Sequence, residues 1–266
     1  MPLDPAYKAG LSGHVPAEKL DRSFLNQRVG ASPLLTMKIL TIIPVFNEEA
    51  TLRDVIAGIR TSLPAADILV VNDGSTDSTA TIAREEGVLI LDHPYNMGIG
   101  ATMQTGFLFA FQYEYDVAIQ VDGDGQHDPN YLKDLMTPVL EGETDLAIGS
   151  RYLQKRGFKS STPRRAGIQF FSILFYLLTG KKVTDPTSGF RALNRKVIHF
   201  FSREYPSDYP EVESLILLHK KGFVLKEIPV AMRERQGGAS SINFLRALYY
   251  MTKVTLSMVL GTLKKI

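Results

Sequence analysis

The chain has no cysteine and no tryptophan among its 266 residues. Without cysteine, disulfide bonds, thiolate metal sites and cysteine nucleophiles are excluded, so a bound metal ion must be held by oxygen or imidazole ligands. Neither sign of charge is in large excess, because the chain has 30 basic and 28 acidic residues and a formal net charge of +2. This balance argues against a protein dedicated to nucleic acid, whose affinity would depend on neutralising phosphates.

Long hydrophobic runs are also missing. The apolar run over 166–179 is too short to cross a bilayer, and Arg246 and Lys253 interrupt the run over 244–263, whereas a spanning helix needs roughly 20 apolar residues. The first 36 residues mix proline, glycine and charge without the apolar core of a secretory signal. We therefore expect an N-terminal extension over 1–36, one globular domain over 37–240 and a C-terminal amphipathic helix over 241–266 that associates with a membrane.

The pattern of apolar residues predicts an α/β fold. From Ile39 onward, short apolar runs alternate with helical periods such as Leu52, Val55, Ile56 and Ile59, which gives a βαβαβ order with further strands and helices after it. Strands that are apolar throughout are typical of a mostly parallel sheet flanked by helices on both faces. Ligands of such sheets bind beyond the carboxyl ends of the strands, so functional residues are expected there.

Local signals indicate where helices start and end. Asn47, Glu48 and Glu49 are expected to open the first helix, because a polar cap and acidic residues stabilise a helix N-terminus. Asp128 followed by Pro129 is expected to open another. Further helices are predicted over roughly 98–112, 167–178 and 211–221, and from Ser241 onward.

The strongest local signal is the segment VAIQVDGDGQHDP. Asp122 and Asp124 lie two residues apart just past a buried strand, where their charges repel each other unless a cation lies between them. Oxygen ligands of this kind suit magnesium or manganese, and water and substrate phosphates usually complete the shell of such an ion. Gln126 and His127 are near enough to add a ligand or a phosphate contact.

Other interpretations compete for this segment. A calcium loop of the EF-hand type needs glycine at its sixth position and glutamate at its twelfth, where this sequence has His127 and Lys133, so that interpretation fails. A phosphohydrolase that uses Asp122 as its nucleophile remains open. An acidic turn without chemical function remains open as well.

Two more strand ends carry polar residues. Asn47 and Glu48 follow the strand in PVFNEEATL, and Asp73 ends the strand in VVNDGSTDST. A carboxylate at that place accepts hydrogen bonds from a base or ribose in other nucleotide folds, and a structural turn is the alternative. The loop from Asn96 to Ala101 allows close backbone approach to a ligand, but Met103 occupies the third glycine position of a Gly-x-Gly-x-x-Gly motif, which disfavours a nicotinamide cofactor.

Basic and aromatic side chains follow these motifs. Guanidinium donors match phosphate oxygens two at a time, so arginines near strand-end loops indicate anion binding, with ordinary surface charge as the alternative. Two nearby helices combine aromatic and basic residues, which is typical of segments on a membrane surface, although covering the sheet explains them equally well. The arginines are Arg151, Arg164, Arg165 and Arg191, and the aromatic residues are Phe170, Phe171, Phe175, Tyr176, Tyr249 and Tyr250.

Seven motifs together resemble family 2 glycosyltransferases, most of all the branch with dolichyl-phosphate mannose synthase and the bacterial polyprenyl-phosphate glycosyltransferases. They cover residues 38 to about 242 in order. The resemblance implies a Rossmann-like GT-A fold and an inverting transfer from a nucleotide diphosphate sugar, with Mg²⁺ or Mn²⁺ as cofactor. The motifs are PVFNEE, VVNDGSTDST, NMGIGAT, VDGDGQHDP, AIGSRY, DPTSGFRAL, and EVES with KKGFVLKEIPV.

The resemblance also implies roles for single residues. The nucleotide pocket would be lined by Pro44, Phe46, Asn47, Glu48, Asp73, Asn96, Gly98 and Asp122. The metal and the donor diphosphate would be held by Asp122, Asp124 and Gln126. Acceptor phosphate would be bound by Arg151 with Arg164 or Arg165, and the acceptor side would be shaped by the segment from Ser188 to Arg191. The sequence has no C-terminal transmembrane pair, unlike the membrane-integral members, so a peripheral position at the cytoplasmic face of the membrane or a separate membrane protein as partner is expected.

The nature of the acceptor decides whether a base is needed. A lipid phosphate is already an anionic nucleophile, whereas the hydroxyl of a sugar or glycan must lose a proton to a carboxylate, for which Glu211 or Glu213 is the candidate. Both glutamates begin a helix, so stabilisation of its N-terminus is the alternative. The predicted catalytic residues are Asp124, Glu211, Glu213 and Arg151. The rival functions are a phosphate-ester hydrolase and a non-catalytic sensor of nucleotide sugars.

Overall fold

The fold is built on one sheet. The computed structural model describes residues 37–153, 162–208, 210–233 and 244–263, so the predicted extension over 1–36 and the predicted boundary at 240 lie outside the described residues. Within them, seven strands form the sheet: β1 Ile39–Val45, β2 Asp67–Asn72, β3 Leu89–Asp92, β4 Val117–Gln120, β5 Leu146–Ser150, β6 Arg191–Asn194 and β7 Leu225–Pro229. Their order across the sheet is β3-β2-β1-β4-β6-β5-β7.

Helices flank this sheet. The described part of the chain contains eight, and a 3-10 turn, Pro129–Tyr131, leads into the fourth. They are α1 Leu52–Ser62, α2 Thr79–Glu85, α3 Ile99–Gln112, α4 Leu132–Leu140, α5 Thr162–Thr179, α6 Arg195–Phe201, α7 Pro210–Lys220 and α8 Phe244–Leu263.

All strands except β6 run in one direction. β1 pairs in parallel with β2 and β4, β2 with β3, and β5 with β7, whereas β6 is antiparallel to β4 and β5. The predicted α/β fold with a mostly parallel sheet is therefore confirmed.

The two faces of β1 belong to two hydrophobic cores. Leu40 and Ile42 join one cluster with Phe107 of α3, and Ile43 and Val45 join the other, which includes the buried face of α1. Successive side chains of a strand point to opposite faces, so a strand covered on both sides is mostly apolar along its whole length. This explains why every residue of β1 is buried and why all of them except Thr41 are apolar.

The first helix starts later than the sequence predicts. α1 begins at Leu52, and its N-cap residue, Thr51, makes no side-chain capping bond. Asn47 instead has a left-handed φ of 56°, and its Oδ1 accepts a hydrogen bond from the backbone N–H of Thr76 at 2.8 Å. The prediction that Asn47 opens the helix is wrong, because its side chain bonds to the loop after β2.

Other predicted helix limits are confirmed. Asp128 caps the 3-10 turn by accepting the backbone N–H of Asn130 at 3.2 Å, and Pro129 follows it as the first residue. α2 and α7 end just before Gly87 and Gly222, whose φ values of 65° and 79° are typical of the glycine that ends a helix.

Strand β6 and helix α6 are not predicted by the sequence pattern. β6 has four residues, RALN, and starts with an arginine that is only 2% exposed. β6 lies inside the sheet, because it pairs with β4 on one side and β5 on the other, and this position buries its first residue. No local pattern in the sequence indicates such pairing. Asn194 then caps α6, its side chain accepting the backbone N–H groups of Lys196 and Val197.

Helices α5 and α8 pack against each other and have two kinds of face. One face covers the core, with Ile168, Phe171 and Phe175 of α5 buried. The other leaves apolar side chains exposed, so the covering of the core is confirmed for one face, and the membrane interpretation of the other stays a prediction. None of the described helices is long and apolar enough to cross a membrane, and the side chains of Tyr249 and Tyr250 lie outside the described residues. The exposed side chains are Phe170, Ile173, Tyr176 and Leu177 of α5, and Leu256 and Leu260 of α8.

Candidate active site

The ends of β1, β2 and β4 open on one cavity of about 360 Å³. β1 lies between β2 and β4 and is parallel to both, so the loops that follow the three strands are neighbours. Of the residues predicted to bind nucleotide, all but Asn47 line the cavity, and Asp124 and Glu211 join them. The predicted lining residues are Pro44, Phe46, Glu48, Asp73, Asn96, Gly98 and Asp122.

Four lining residues lie outside the predicted set: Val45, Ile99, Thr102 and Gly123. Val45 and Gly123 adjoin predicted residues in the chain, while Ile99 and Thr102 lie in the first turns of α3, just after Gly98. The signal that could have indicated the last two is the glycine-rich loop itself, because the helix after such a loop begins at the ligand.

The acidic pair faces the cavity. Asp122 Oδ1 accepts a hydrogen bond from the side-chain amide of Gln120 at 3.3 Å, and Asp124 Oδ1 accepts the backbone N–H of Gln126 at 3.0 Å. The side chain of Asp122 remains 38% exposed. Two carboxylates form a donor set of hard oxygens, which fits magnesium or manganese completed by water and phosphate oxygens.

Not every residue predicted for the metal site contacts the cavity. Gln126 is outside the lining, so its role as a ligand stays a prediction. His127, expected near a ligand or phosphate, is only 5% exposed and is turned toward the loop backbone, where its Nδ1 accepts the N–H of Asp122 at 3.0 Å. Within the described ranges, no group of three or more histidine, aspartate or glutamate side chains converges in a way that could hold a metal ion.

Gly123 fixes the loop that carries the pair. Its carbonyl accepts the hydroxyl of Thr51 at 2.6 Å, and a Cβ at this position would lie 2.7 Å from Cγ1 of Val45. The loop is thus held against β1 and the start of α1, which sets the direction of both carboxylates.

Asp73 organises the glycine loop beside the pair. Its carboxylate accepts the backbone N–H of Met97 at 2.8 Å and that of Gly98 at 2.9 Å, and Oδ1 also contacts Nδ1 of His93 at 2.9 Å. These bonds hold Asn96 and Gly98 at the cavity wall. Asp73 lines the cavity as well, and its contact with a base or ribose stays a prediction.

Asn47 is placed differently from the expectation. It is exposed and outside the cavity lining, and its backbone N–H donates to Oγ of Ser75 at 3.0 Å. The next residue, Glu48, donates its N–H to Oγ1 of Thr79 at 2.9 Å and does line the cavity. Asn47 therefore ties the loops after β1 and β2 together, and its contact with a nucleotide stays a prediction.

Arg151 is held by an acidic partner. Its Nε donates to Oδ2 of Asp185 at 2.6 Å and its Nη2 to Oδ1 at 2.7 Å, with side chains that are 10% and 0% exposed. Burial by itself lowers the pKa of Arg151, but the hydrogen bonds and charge of Asp185 raise it overall, so the guanidinium stays cationic. Arg165 is exposed near the start of α5, and the side chain of Arg164 lies outside the described residues.

The structure places Ser188 and Arg191, which are predicted to shape the acceptor side, inside the protein. Arg191 is 2% exposed, and its guanidinium donates to the carbonyls of Ser188 at 2.7 Å and Glu211 at 2.6 Å and to Oγ of Ser214 at 2.8 Å. Ser188 is 1% exposed. Their polar side-chain atoms form hydrogen bonds inside the protein, so both residues shape the loop from within, and their effect on the acceptor side stays a prediction. Burial lowers the pKa of Arg191, which lies close enough to Glu211 and Asp122 to interact with their charges.

The two candidate bases, Glu211 and Glu213, lie on α7 but have different surroundings. Glu211 lines the cavity, and burial raises the pKa of its carboxyl while Arg191 opposes that shift. Glu213 is directed toward α8, where it bonds to Ser257 and is near Lys253; burial raises its pKa as well. Glu211 therefore lies at the cavity and Glu213 does not line it, and the role of a base stays a prediction for both.

This arrangement has counterparts among solved structures. The glucosyl-3-phosphoglycerate synthase of Mycobacterium tuberculosis, solved with Mn²⁺, UDP and phosphoglyceric acid, superposes with a TM-score of 0.66 over 85% of this chain and 78% of that one, at 21% identity. The mostly parallel sheet with its strand-end cavity is therefore the GT-A fold of glycosyltransferases.

Sequence comparison is more specific. The profile of Glycosyl transferase family 2 matches residues 41–201. An uncharacterised protein of Methanocaldococcus jannaschii is 36% identical over 73% of this chain and 80% of its own length. The polyprenol monophosphomannose synthase of Mycolicibacterium smegmatis is 30% identical over 78% of this chain and 82% of its own length. The chain belongs to glycosyltransferase family 2, in the branch that resembles dolichyl-phosphate mannose synthase.

The pKa of Glu211 predicts a pH-dependent stability. Because burial raises its pKa, the folded state binds this proton more tightly than the unfolded chain, and the free energy of unfolding falls as pH rises through the raised pKa. Glu211→Gln removes the charged form. The variant is expected to have a higher Tm than the wild type at about pH 8 and no such gain at about pH 4, where an ordinary glutamate is about half protonated.

Thermal unfolding at both pH values measures this, with a shift of roughly 2–4 °C expected for each kcal/mol. The same substitution at Glu204, which is exposed, is the control for the loss of one negative charge. An equal or lower Tm for Glu211→Gln at the higher pH contradicts the prediction.

Proposed function

We propose that this protein transfers a sugar, with inversion at the anomeric carbon, from a nucleotide diphosphate sugar to a polyprenyl-phosphate acceptor, with Mg²⁺ or Mn²⁺ held at Asp122 and Asp124. The observation that carries this proposal is that the acidic pair, Asp73 and the glycine loop share one cavity. Diphosphate and nucleoside can then occupy neighbouring parts of the same site. The relative named for polyprenol phosphate mannosylation and the neighbour solved with Mn²⁺ and UDP support it.

The residues of the chain would do most of the work by binding and orienting the donor. Asp122 and Asp124 would hold the metal through carboxylate oxygens, with Gln126 as a predicted third ligand. The bound ion would supply positive charge to the departing nucleotide diphosphate. The loop fixed by Asp73 would bring backbone close to the donor, and Phe46, 45% exposed beside the cavity, would offer a ring for the base.

The acceptor decides the remaining step. A polyprenyl phosphate attacks as an anion, so no residue has to remove a proton, and Arg151 would contribute positive charge where the phosphate binds. A sugar hydroxyl is the second candidate acceptor, favoured by one observation: Glu211 lines the cavity, and burial raises the pKa of its carboxyl, which makes the carboxylate a stronger base. Membership of the family does not favour a hydrolase with Asp122 as nucleophile.

Removing one carboxylate of the pair tests the metal assignment. Asp124→Ala is expected to decrease metal-dependent release of nucleoside diphosphate at least about 100-fold, the scale of losing an electrostatic stabiliser of the transition state. Release is measured with GDP, UDP and dTDP sugars, a short-chain polyprenyl phosphate and Mn²⁺.

Asp134→Ala is the matched control, because Asp134 is exposed on α4 and outside the cavity. Its release rate and the thermal stability of both variants should equal those of the wild type. Undiminished release by Asp124→Ala would remove the basis for the metal site.

We further propose that the exposed face of α5 and α8 rests on the cytoplasmic face of a membrane. Ile173 and Leu177 lie about one helical turn apart and are 53% and 73% exposed. Arg165 at one end of α5 and Lys181 and Lys182 just past the other are exposed too, so apolar insertion and attraction to anionic headgroups would act together.

Ile173→Asp with Leu177→Asp should weaken binding to vesicles of phosphatidylglycerol and phosphatidylcholine at least about tenfold, since burying one such side chain contributes about 1.5–3 kcal/mol. Co-sedimentation measures the partition coefficient. Val224→Asp is the control, because Val224 is 53% exposed but outside these helices. Equal binding by the double variant and the wild type would refute the membrane face.

A further inference from the structure

The imidazole of His127 is bonded to the residue that begins the acidic pair. Its Nδ1 accepts the backbone N–H of Asp122 at 3.0 Å, and its Nε2 lies 3.5 Å from Oδ2 of the same residue. A backbone N–H can only donate, so Nδ1 must be the unprotonated nitrogen and Nε2 must carry the hydrogen. The ring nitrogen that carries the hydrogen is therefore the one that lies near the carboxylate of Asp122.

The plane of the His127 ring is fixed by a second aromatic ring. His127 stacks on Phe190 with ring centroids 4.7 Å apart and an interplanar angle of 15°. Phe190 is itself fully buried, and it fits there because residue 149 is glycine: a Cβ on Gly149 would lie 2.9 Å from Cδ1 of Phe190. His127 also forms a β-bridge with Met232. The imidazole therefore has little freedom to turn away from Asp122.

The other oxygen of Asp122 is confined as well. Oδ1 accepts the side-chain amide of Gln120 at 3.3 Å. A Cβ on Gly189 would lie 2.9 Å from Nε2 of that glutamine and 3.2 Å from both carboxylate oxygens of Asp122. The backbone of the DPTSGF loop thus closes one side of the carboxylate, and a Cβ at position 189 would press on the carboxylate and its amide partner.

We propose that His127 is a positioning residue that fixes the carboxylate of Asp122 for the metal, with Phe190 and Gly149 as its support. The inference rests on the proposed function, because it concerns the ion at the acidic pair. It gives one physical reason why AIGSRY, DPTSGF and DGQHDP occur together: Gly149, Phe190 and His127 form one column that ends at Asp122. Groups that orient metal ligands typically change metal affinity by about 10–100-fold when removed.

Two substitutions at position 127 separate this role from simple filling of space. His127→Phe keeps the ring and its stacking but loses both nitrogens, whereas His127→Asn loses the ring but can keep an acceptor for the N–H of Asp122. Positioning predicts that Mn²⁺ affinity falls roughly tenfold or more in His127→Phe and less in His127→Asn. Space filling predicts the reverse order.

The measurement is electron paramagnetic resonance of free Mn²⁺ during titration with MnCl₂, alone and with UDP or GDP, with thermal unfolding to check the fold. His199→Phe is the matched control, since His199 also stacks on an aromatic ring, Phe111 at 4.7 Å, but lies outside the cavity lining. Its Mn²⁺ affinity should be unchanged.

The outcomes also separate this inference from the proposed function. Wild-type binding with the weakest affinity in His127→Phe supports the positioning role. If the wild type binds Mn²⁺ and His127→Phe has the same affinity, or a higher affinity than His127→Asn, the positioning role is overturned. The proposed function is not affected by that result. No Mn²⁺ binding by the wild type, under any of the three conditions, overturns both.

Discussion

The fixed position of two carboxylates on one loop after β4 is the constraint on which the rest of the site depends. Asp122 and Asp124 are held on one short loop by a glycine carbonyl bonded to Thr51 and by the backbone N–H of Gln126. Folding thus orients both carboxylates before any ion is bound, and a divalent cation held by the pair would meet ligands already in place, as expected of preorganised sites.

Sheet topology explains why remote residues meet at this charge. The chain passes outward from β1 to β2 and β3 and then returns to place β4 on the other side of β1. In open α/β sheets the loops part where this reversal occurs, which leaves a crevice at the carboxyl ends of the strands. Asp73 after β2 and Asp122 after β4 reach the crevice from opposite sides, so a donor with a nucleoside and a diphosphate can contact both.

Local patterns are sufficient to predict the parallel strands of the sheet and most of the cavity. The mostly apolar strands indicate double coverage, and Asp73, Asp122 and Glu48 lie after strand ends, where ligands of such sheets bind. The features that the sequence does not predict depend on contacts between residues that are distant in the chain. The burial of Arg191 follows from the pairing of β6 between β4 and β5, and the bidentate bond of Arg151 depends on Asp185. Asn47 was misplaced for the same reason, since its partners belong to the loop after β2.

The proposed function depends on whether Asp122 and Asp124 bind a metal ion together with a nucleotide diphosphate. The most direct measurement is a crystal structure of the wild-type protein grown with MnCl₂ and UDP or GDP, with anomalous diffraction recorded at the manganese edge. If the pair binds the metal, an anomalous peak is expected within coordination distance of a carboxylate oxygen of Asp122 or Asp124 and of the nucleotide diphosphate. The nucleoside is expected beside the loop that Asp73 holds. A nucleotide bound elsewhere, or one bound in the cavity with no manganese at the pair, would contradict the proposed function.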